Sequence, residues 1–130
     1  MSRLLGLTPT MRVVVRNPLL GRRYPEEGQV IAVVDTGYEG FVAVPHDVFT
    51  SLSFDHLHEE KRRLVVANGD VLDAAGAYGA YLAPDVPLYA DGFVETYESL
   101  DEVLLGVEAL SRAKILLDYC SRRIRVERCP

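Results

Sequence analysis

An acid, a hydroxyl and a glycine, Asp35-Thr36-Gly37, stand directly behind the apolar stretch QVIAVV at 29–34. Two chemistries suit that placement. In one, Asp35 ends a strand, its carboxylate accepting nearby backbone N–H groups while Gly37 supplies the positive φ of the turn. In the other, a rigid strand carries a carboxylate to a cleft, where low dielectric and a neighbouring acid tune it for proton transfer. Other constellations offer less. Asp55-His56-Leu57-His58-Glu59-Glu60 contains metal-ligating types, but two histidines spaced by two share a face only on a strand, and the surrounding charge points to a solvated turn or helix. Nothing in the sequence places His46, the remaining histidine, beside them, and no metal or other cofactor is expected. No Gly-x-Ser-x-Gly elbow occurs, and Cys120 and Cys129 sit at no metal-ligand spacing, so both are expected to be reduced thiols without a catalytic role. Glu39 and Asp73 are further acids able to form a carboxylate pair, whereas Asp70 beside Asn68-Gly69 reads as turn chemistry. Tyr78, Tyr81, Tyr89 and Tyr97 read as half-buried strand aromatics.

Whatever Asp35 does, the elements around it must hold it. MRVVVRNP (11–18) is valine-rich and ends in Asn-Pro, as a strand running into a turn does, and 19–28 reads as an exposed connection. The run at 29–34 is apolar on both parities, which predicts a central strand covered on both faces. FVAVP (41–45) is a second short strand, HDVFTSLSF (46–54) one or two helical turns, and DHLHEEKRR (55–63) a charged surface segment. In LVVANGDVLDA (64–74) two apolar runs meet at Asn68-Gly69, the signature of an exposed hairpin with a two-residue type I′ turn. AYGAYLA (77–83) and GFVETYESL (92–100) are strands separated by a turn-like PDVPLYADG (84–92). A short helix is expected after Gly106, and KILLDY (114–119) and RIRVERC (123–129) close the chain as two strands. Many short strands with one or two short helices describe a small barrel or sandwich.

Taken together, Asp35-Thr36-Gly37 behind an apolar strand, Leu104-Leu105-Gly106 leading into a short helix, and the hairpin VVANGDVLDAAG (65–76) between them resemble the retropepsin-like (clan AA) aspartic proteases. VVDTGYEGFVAVP (33–45) is similar to the Asp-Thr-Gly-aromatic-x-Gly…Pro signature of small single-domain prokaryotic members, and the resemblance runs from about Met11 to Val126. It implies a mainly β fold, a closed barrel of the acid-protease kind, and an aspartic endopeptidase. Asp35 would be the catalytic carboxylate, Thr36 would hydrogen-bond across to a partner's loop, and Gly37 would make the tight turn. Leu105 and Gly106 would pack beneath that loop, and Ala67, Asn68 and Gly69 would form a flap over an extended peptide or unfolded protein substrate. Hydrolysis in this manner needs two carboxylates sharing a proton, and the chain has one Asp-Thr-Gly, so the resemblance implies a homodimer with the site on its two-fold axis. RIRVERC would then be a candidate for an interfacial sheet. Three departures stand out: bulky Tyr38 after Gly37, the extra acid Glu39, and a flap tip of Ala-Asn-Gly-Asp. These would narrow the cleft, change substrate choice, or mark the alternative, a non-catalytic dimeric module that binds peptides on the same fold.

Composition sets the outer bounds. A chain of 130 residues is expected to form one domain, 1–130, and its 48% apolar and 25% charged residues are ordinary for a globular protein. The net charge of -5 argues against a partner held by phosphate neutralisation, so no nucleic acid is expected. Arg22-Arg23, Lys61-Arg62-Arg63 and Arg122-Arg123 read as solvated surface. No apolar run approaches the roughly 20 residues of a membrane span, and the opening residues lack a signal-peptide pattern, so no membrane association and a cytoplasmic location are expected.

Overall fold

β-Branched and small apolar residues fill most strands, as their fit to a pleated, half-buried surface favours. A computed structural model of the chain describes residues 2–65 and 68–130 and, of Arg3, the backbone. Its strands are β1 (Arg3–Leu5), β2 (Thr8–Asn17), β3 (Arg22–Tyr24), β4 (Val30–Val34), β5 (Val42–Ala43), β6 (Glu60–Val65), β7 (Val71–Ala83), β8 (Leu88–Tyr97), β9 (Val103–Leu105), β10 (Ala113–Asp118) and β11 (Arg123–Arg128). Two short helices, α1 (His46–Ser51) and α2 (Val107–Leu110), and a 3-10 turn at Phe54–His56 complete the described elements.

Hydrogen-bonded neighbours run β1-β2-β4-β9-β5-β8-β7-β6, and β7 also pairs with β2, so the path returns on itself around a common interior. That interior holds Met11, Val13, Val15, Ala32, Val34, Phe41, Phe49, Phe54, Tyr81 and Leu105, among others. Tyr81 is fully buried, and its hydroxyl donates to Ala109 O at 2.6 Å, which satisfies the one polar atom it brings inside. The buried Asn17 is matched similarly: Nδ2 donates to Leu52 O at 2.8 Å and Oδ1 accepts from Leu20 N at 3.2 Å.

Several sequence expectations need correction. β4 is fully covered on one face only: Ala32 and Val34 are buried, but Ile31 is 39% exposed and Val33, packed against Tyr38, Ala43 and Leu104, is half-buried, because apolar parity does not reveal how far neighbouring elements reach. The charged segment 55–63 ends in a strand, since β6 begins at Glu60 and pairs along its length with β7. The connection at 19–28 contains β3. The turn between β7 and β8 is confined to 84–87; Leu88, Tyr89, Ala90 and Asp91 already pair with β7. The expected hairpin is present, but its register pairs Val65 with Val71, which puts an odd number of positions between the strands where a type I′ turn has two. There Asn68 Oδ1 accepts the Asp70 N–H at 2.9 Å and Gly69 has φ +90, a local Asx turn with its left-handed glycine. Ala67 lies outside the described residues.

Candidate active site

The site is built where β4 stops. Parallel pairing with β9 sets Val33 beside Leu104 and Val34 beside Leu105, and β9 is in turn paired antiparallel with β5. At the end of β4, Asp35 N–H donates to Leu105 O at 2.9 Å, so the backbone leading to the carboxylate is held by the downstream Leu-Leu-Gly element. The loop then folds over: Tyr38 N–H donates to Asp35 O at 3.2 Å and Gly37 N–H to Asp35 Oδ1 at 3.0 Å. The carboxylate bond is the turn chemistry available to any strand-ending acid, but Gly37 does not take the positive φ expected of it, and Asp35 is left half-buried with Thr36 and Gly37 exposed beside it.

Beneath the loop three backbone bonds run the other way. Gly106 N–H donates to Phe41 O at 2.8 Å, Val107 N–H to Tyr38 O at 2.9 Å and Glu108 N–H to Gly40 O at 3.1 Å. Such an approach of backbone to backbone requires a residue without a side chain: a Cβ on Gly106 would lie 2.2 Å from Gly40 O and 2.7 Å from Tyr38 O. Leu105 is fully buried below.

Above the loop lies a cleft of about 670 Å³ lined by Asp35, Gly37, Glu39, Arg62, Leu64 and Tyr97, among others. One wall is β6, from the hairpin that contains Asn68 and Gly69; these two are at its far end. Glu39 is exposed and lines the same cleft, while Asp73 is exposed and within 3.8 Å of Arg63. Tyr38 also lines the cleft, but it is 8% exposed and turned inward over Gly40 and Gly106, and its hydroxyl donates to Glu95 Oε1 at 2.5 Å. Burial first, and the Glu95 carboxylate second, hold that phenol well above its ordinary range. Arg62, read from sequence as solvated, closes on the same carboxylate, with Nε 2.5 Å from Oε2 and Nη2 2.7 Å from Oε1.

Tyr97 reads from sequence as an ordinary strand aromatic, yet it lines the cleft, and its phenol is raised by burial and then by the charge of Asp35. Glu95 and Arg62 were missed for the same reason: residues 33 apart in sequence meet only through the β6–β7–β8 register. The one available signal was a carboxylate between Val94 and Thr96 in a stretch that reads as strand, GFVETY. The histidine-rich segment does not converge; His56 and His58 are both exposed, and among the described residues no three His, Cys, Asp or Glu side chains are placed to hold a metal ion. Cys120 and Cys129 are exposed free thiols at opposite ends of the β10–β11 hairpin. Among the described residues no helix is long and apolar enough to cross a membrane.

No family model matches the chain. It is 43% identical over 122 residues to an uncharacterized protein of Archaeoglobus fulgidus, covering 94% of this chain and 95% of that one. Among solved structures it is similar to a retropepsin-like aspartic protease from Rickettsia conorii, with a TM-score of 0.65 and 20% identity over 98% of this chain and 88% of that one. The protease of EIAV in complex with the inhibitor HBY-793 matches with a TM-score of 0.56 and 12% identity, covering 82% of this chain and 88% of that one. The retroviral protease-like domain of Ddi1 from Leishmania major matches with a TM-score of 0.51 and 13% identity, covering 93% and 94%. The mainly β, retropepsin-like architecture expected from the sequence is therefore borne out.

Proposed function

Because the chain belongs to the same family as the Archaeoglobus fulgidus protein and has the retropepsin-like fold, we propose that it is an aspartic endopeptidase working as a homodimer. The observation that carries this reading is the placement of Asp35: a half-buried carboxylate at the end of β4, on a loop held from below by β9 and Gly106, opening into a cleft walled by a β-hairpin. Two copies related by a two-fold axis through this loop would bring Asp35 against its own image. One carboxylate, ionised, would take a proton from the attacking water; the other, protonated, would polarise the scissile carbonyl. An extended peptide would lie along the cleft, its main chain bonded by the strand edges around it. Thr36, exposed on the loop, would bond to the partner's loop, and Asn68 and Gly69 would close with the hairpin over substrate.

The test is cleavage of an unfolded protein from mildly acidic to neutral pH, with rate followed against enzyme concentration. Asp35→Asn keeps an oxygen for the Gly37 N–H and should fold normally while losing activity. Wild-type specific activity should fall on dilution as the dimer dissociates. Cleavage surviving in Asp35→Asn, or a wild-type dimer that cuts nothing, would sink the proposal. The second of these results would leave a peptide-binding module.

A further inference from the structure

Among the described residues β6 is the last strand of the sheet path, and its ladder partner is β7 alone. A hairpin with one such edge is joined to the body mainly through β7, so side chains decide how firmly β6 is held over the cleft. Two of them reach the body. Leu64 packs against the small cluster of Tyr38, Ala43 and Leu104, and Arg62 grips Glu95 with two nitrogens.

Glu95 is an unusual residue for its place. It lies mid-sheet on β8, paired with Gly76 on one side and Ala43 on the other, and its side chain is 6% exposed. A buried carboxylate is tolerated only when fully matched, and this one accepts from Tyr38 and twice from Arg62. Space for it is kept by glycines. A Cβ on Gly40 would lie 2.7 Å from Glu95 Oε1 and 2.3 Å from the Tyr38 hydroxyl, and one on Gly76 would lie 3.1 Å from Glu95 Cγ. Tyr38 belongs to the loop that begins at Asp35, three residues from the acid. Arg62 belongs to the hairpin wall.

We infer that Glu95 is a positioning residue, a buried tie between the Asp35 loop and the hairpin wall that sets how readily the hairpin lifts from the cleft. The inference rests on the reading of the hairpin as a flap, and it assigns Tyr38 to that tie. Opening the hairpin breaks the Arg62 fork and leaves Glu95 with Tyr38 as its remaining side-chain donor, which favours the closed arrangement.

Amide hydrogen exchange on the full chain tests this without any need for catalysis. Arg62→Met keeps an unbranched apolar stem and removes the fork. It should speed exchange in β6 and in 71–75 of β7 by about tenfold, about 1.4 kcal/mol at 25 °C, discounted because Arg62 is itself 44% exposed and screened. Arg62→Lys, which restores the charge without the fork, should fall between the two. If the wild type cleaves peptides, Arg62→Met should act mainly through KM, since closure over substrate then starts from a looser hairpin. Unchanged exchange in 60–65, or an equal rise in β2 and β4, would overturn the tie. Because this readout is taken without substrate, a failure of the protease reading and a failure of the tie are distinguishable.

Discussion

Gly106→Ala isolates the feature on which the whole site depends, the stacking of the Asp35 loop on the β9–α2 junction. The added methyl would sit 2.2 Å from Gly40 O, 2.6 Å from Tyr38 Cδ2 and 2.7 Å from Tyr38 O. Two of these neighbours are backbone carbonyls, so no rotamer change relieves the contact. Overpacking of this kind costs about 1–3 kcal/mol. Relief by lifting the loop would weaken the bonds from Gly106, Val107 and Glu108, each contributing about 1 kcal/mol net. We expect a loss of about 3 kcal/mol, seen as a lower urea midpoint at unchanged m-value and a Tm lower by roughly 10 °C, both at one fixed protein concentration. A Gly69→Ala control separates steric contact from backbone strain. Nothing lies within 4 Å of a Cβ there, but φ is +90, so a loss of only about 1 kcal/mol is expected. A Gly106→Ala protein within 0.5 kcal/mol of wild type, roughly the effect of a neutral surface change, would refute the stacking argument.

Three other outcomes follow from the same structure. Burial pushes the Tyr81 phenol up to about 12, against 10.0 in the unfolded chain, so between those values the unfolded chain releases a proton that the fold retains. Its stabilising contribution is complete below about pH 10 and falls as pH rises, by at most about 1.4 kcal/mol per pH unit; Tyr81→Phe should flatten urea midpoints over that window, and an identical slope would contradict it. Leu105→Ala empties a fully buried position between β4 and β5 and should lower unfolding free energy by about 2–5 kcal/mol in denaturant titration, a loss under 1 kcal/mol counting against this packing. Tyr38→Phe leaves the Glu95–Arg62 pair in place and should reduce stability by about 1.5–3 kcal/mol, the range for a hydrogen bond to a charged group; no change in the urea midpoint would show that the bond contributes nothing.

Local signals were legible where chemistry is local. β2, the hairpin of β6 and β7, α1 and the closing pair β10–β11 are announced by valine-rich runs, an Asn-Gly and a turn around Cys120-Ser121. They failed where a neighbour decides the outcome. The apolar run of β4 read as doubly covered, but nothing along it tells that the side carrying Ile31 remains open. The polar stretch before Val65 read as surface because Arg62 is charged, and its carboxylate partner lies two strands away. LYADG read as a turn from its Asp and Gly, but pairing with the long β7 draws it into β8, a case of tertiary context overriding local preference.

By itself the sequence determined the elements that need only their own residues: the strand leading to Asp35, the Asp-Thr-Gly turn with its side-chain-to-backbone bond, and the glycine that opens α2. Periodicity and turn chemistry act over a few bonds, so they can be read in one dimension. Only the tertiary structure decided that β9 runs parallel beneath β4, that Gly106 must be bare because Gly40 and Tyr38 press on it, and that Tyr38, Glu95 and Arg62 share one buried carboxylate. Those relations are set by sheet register, which brings together residues 33 to 71 positions apart and leaves no mark in any local pattern.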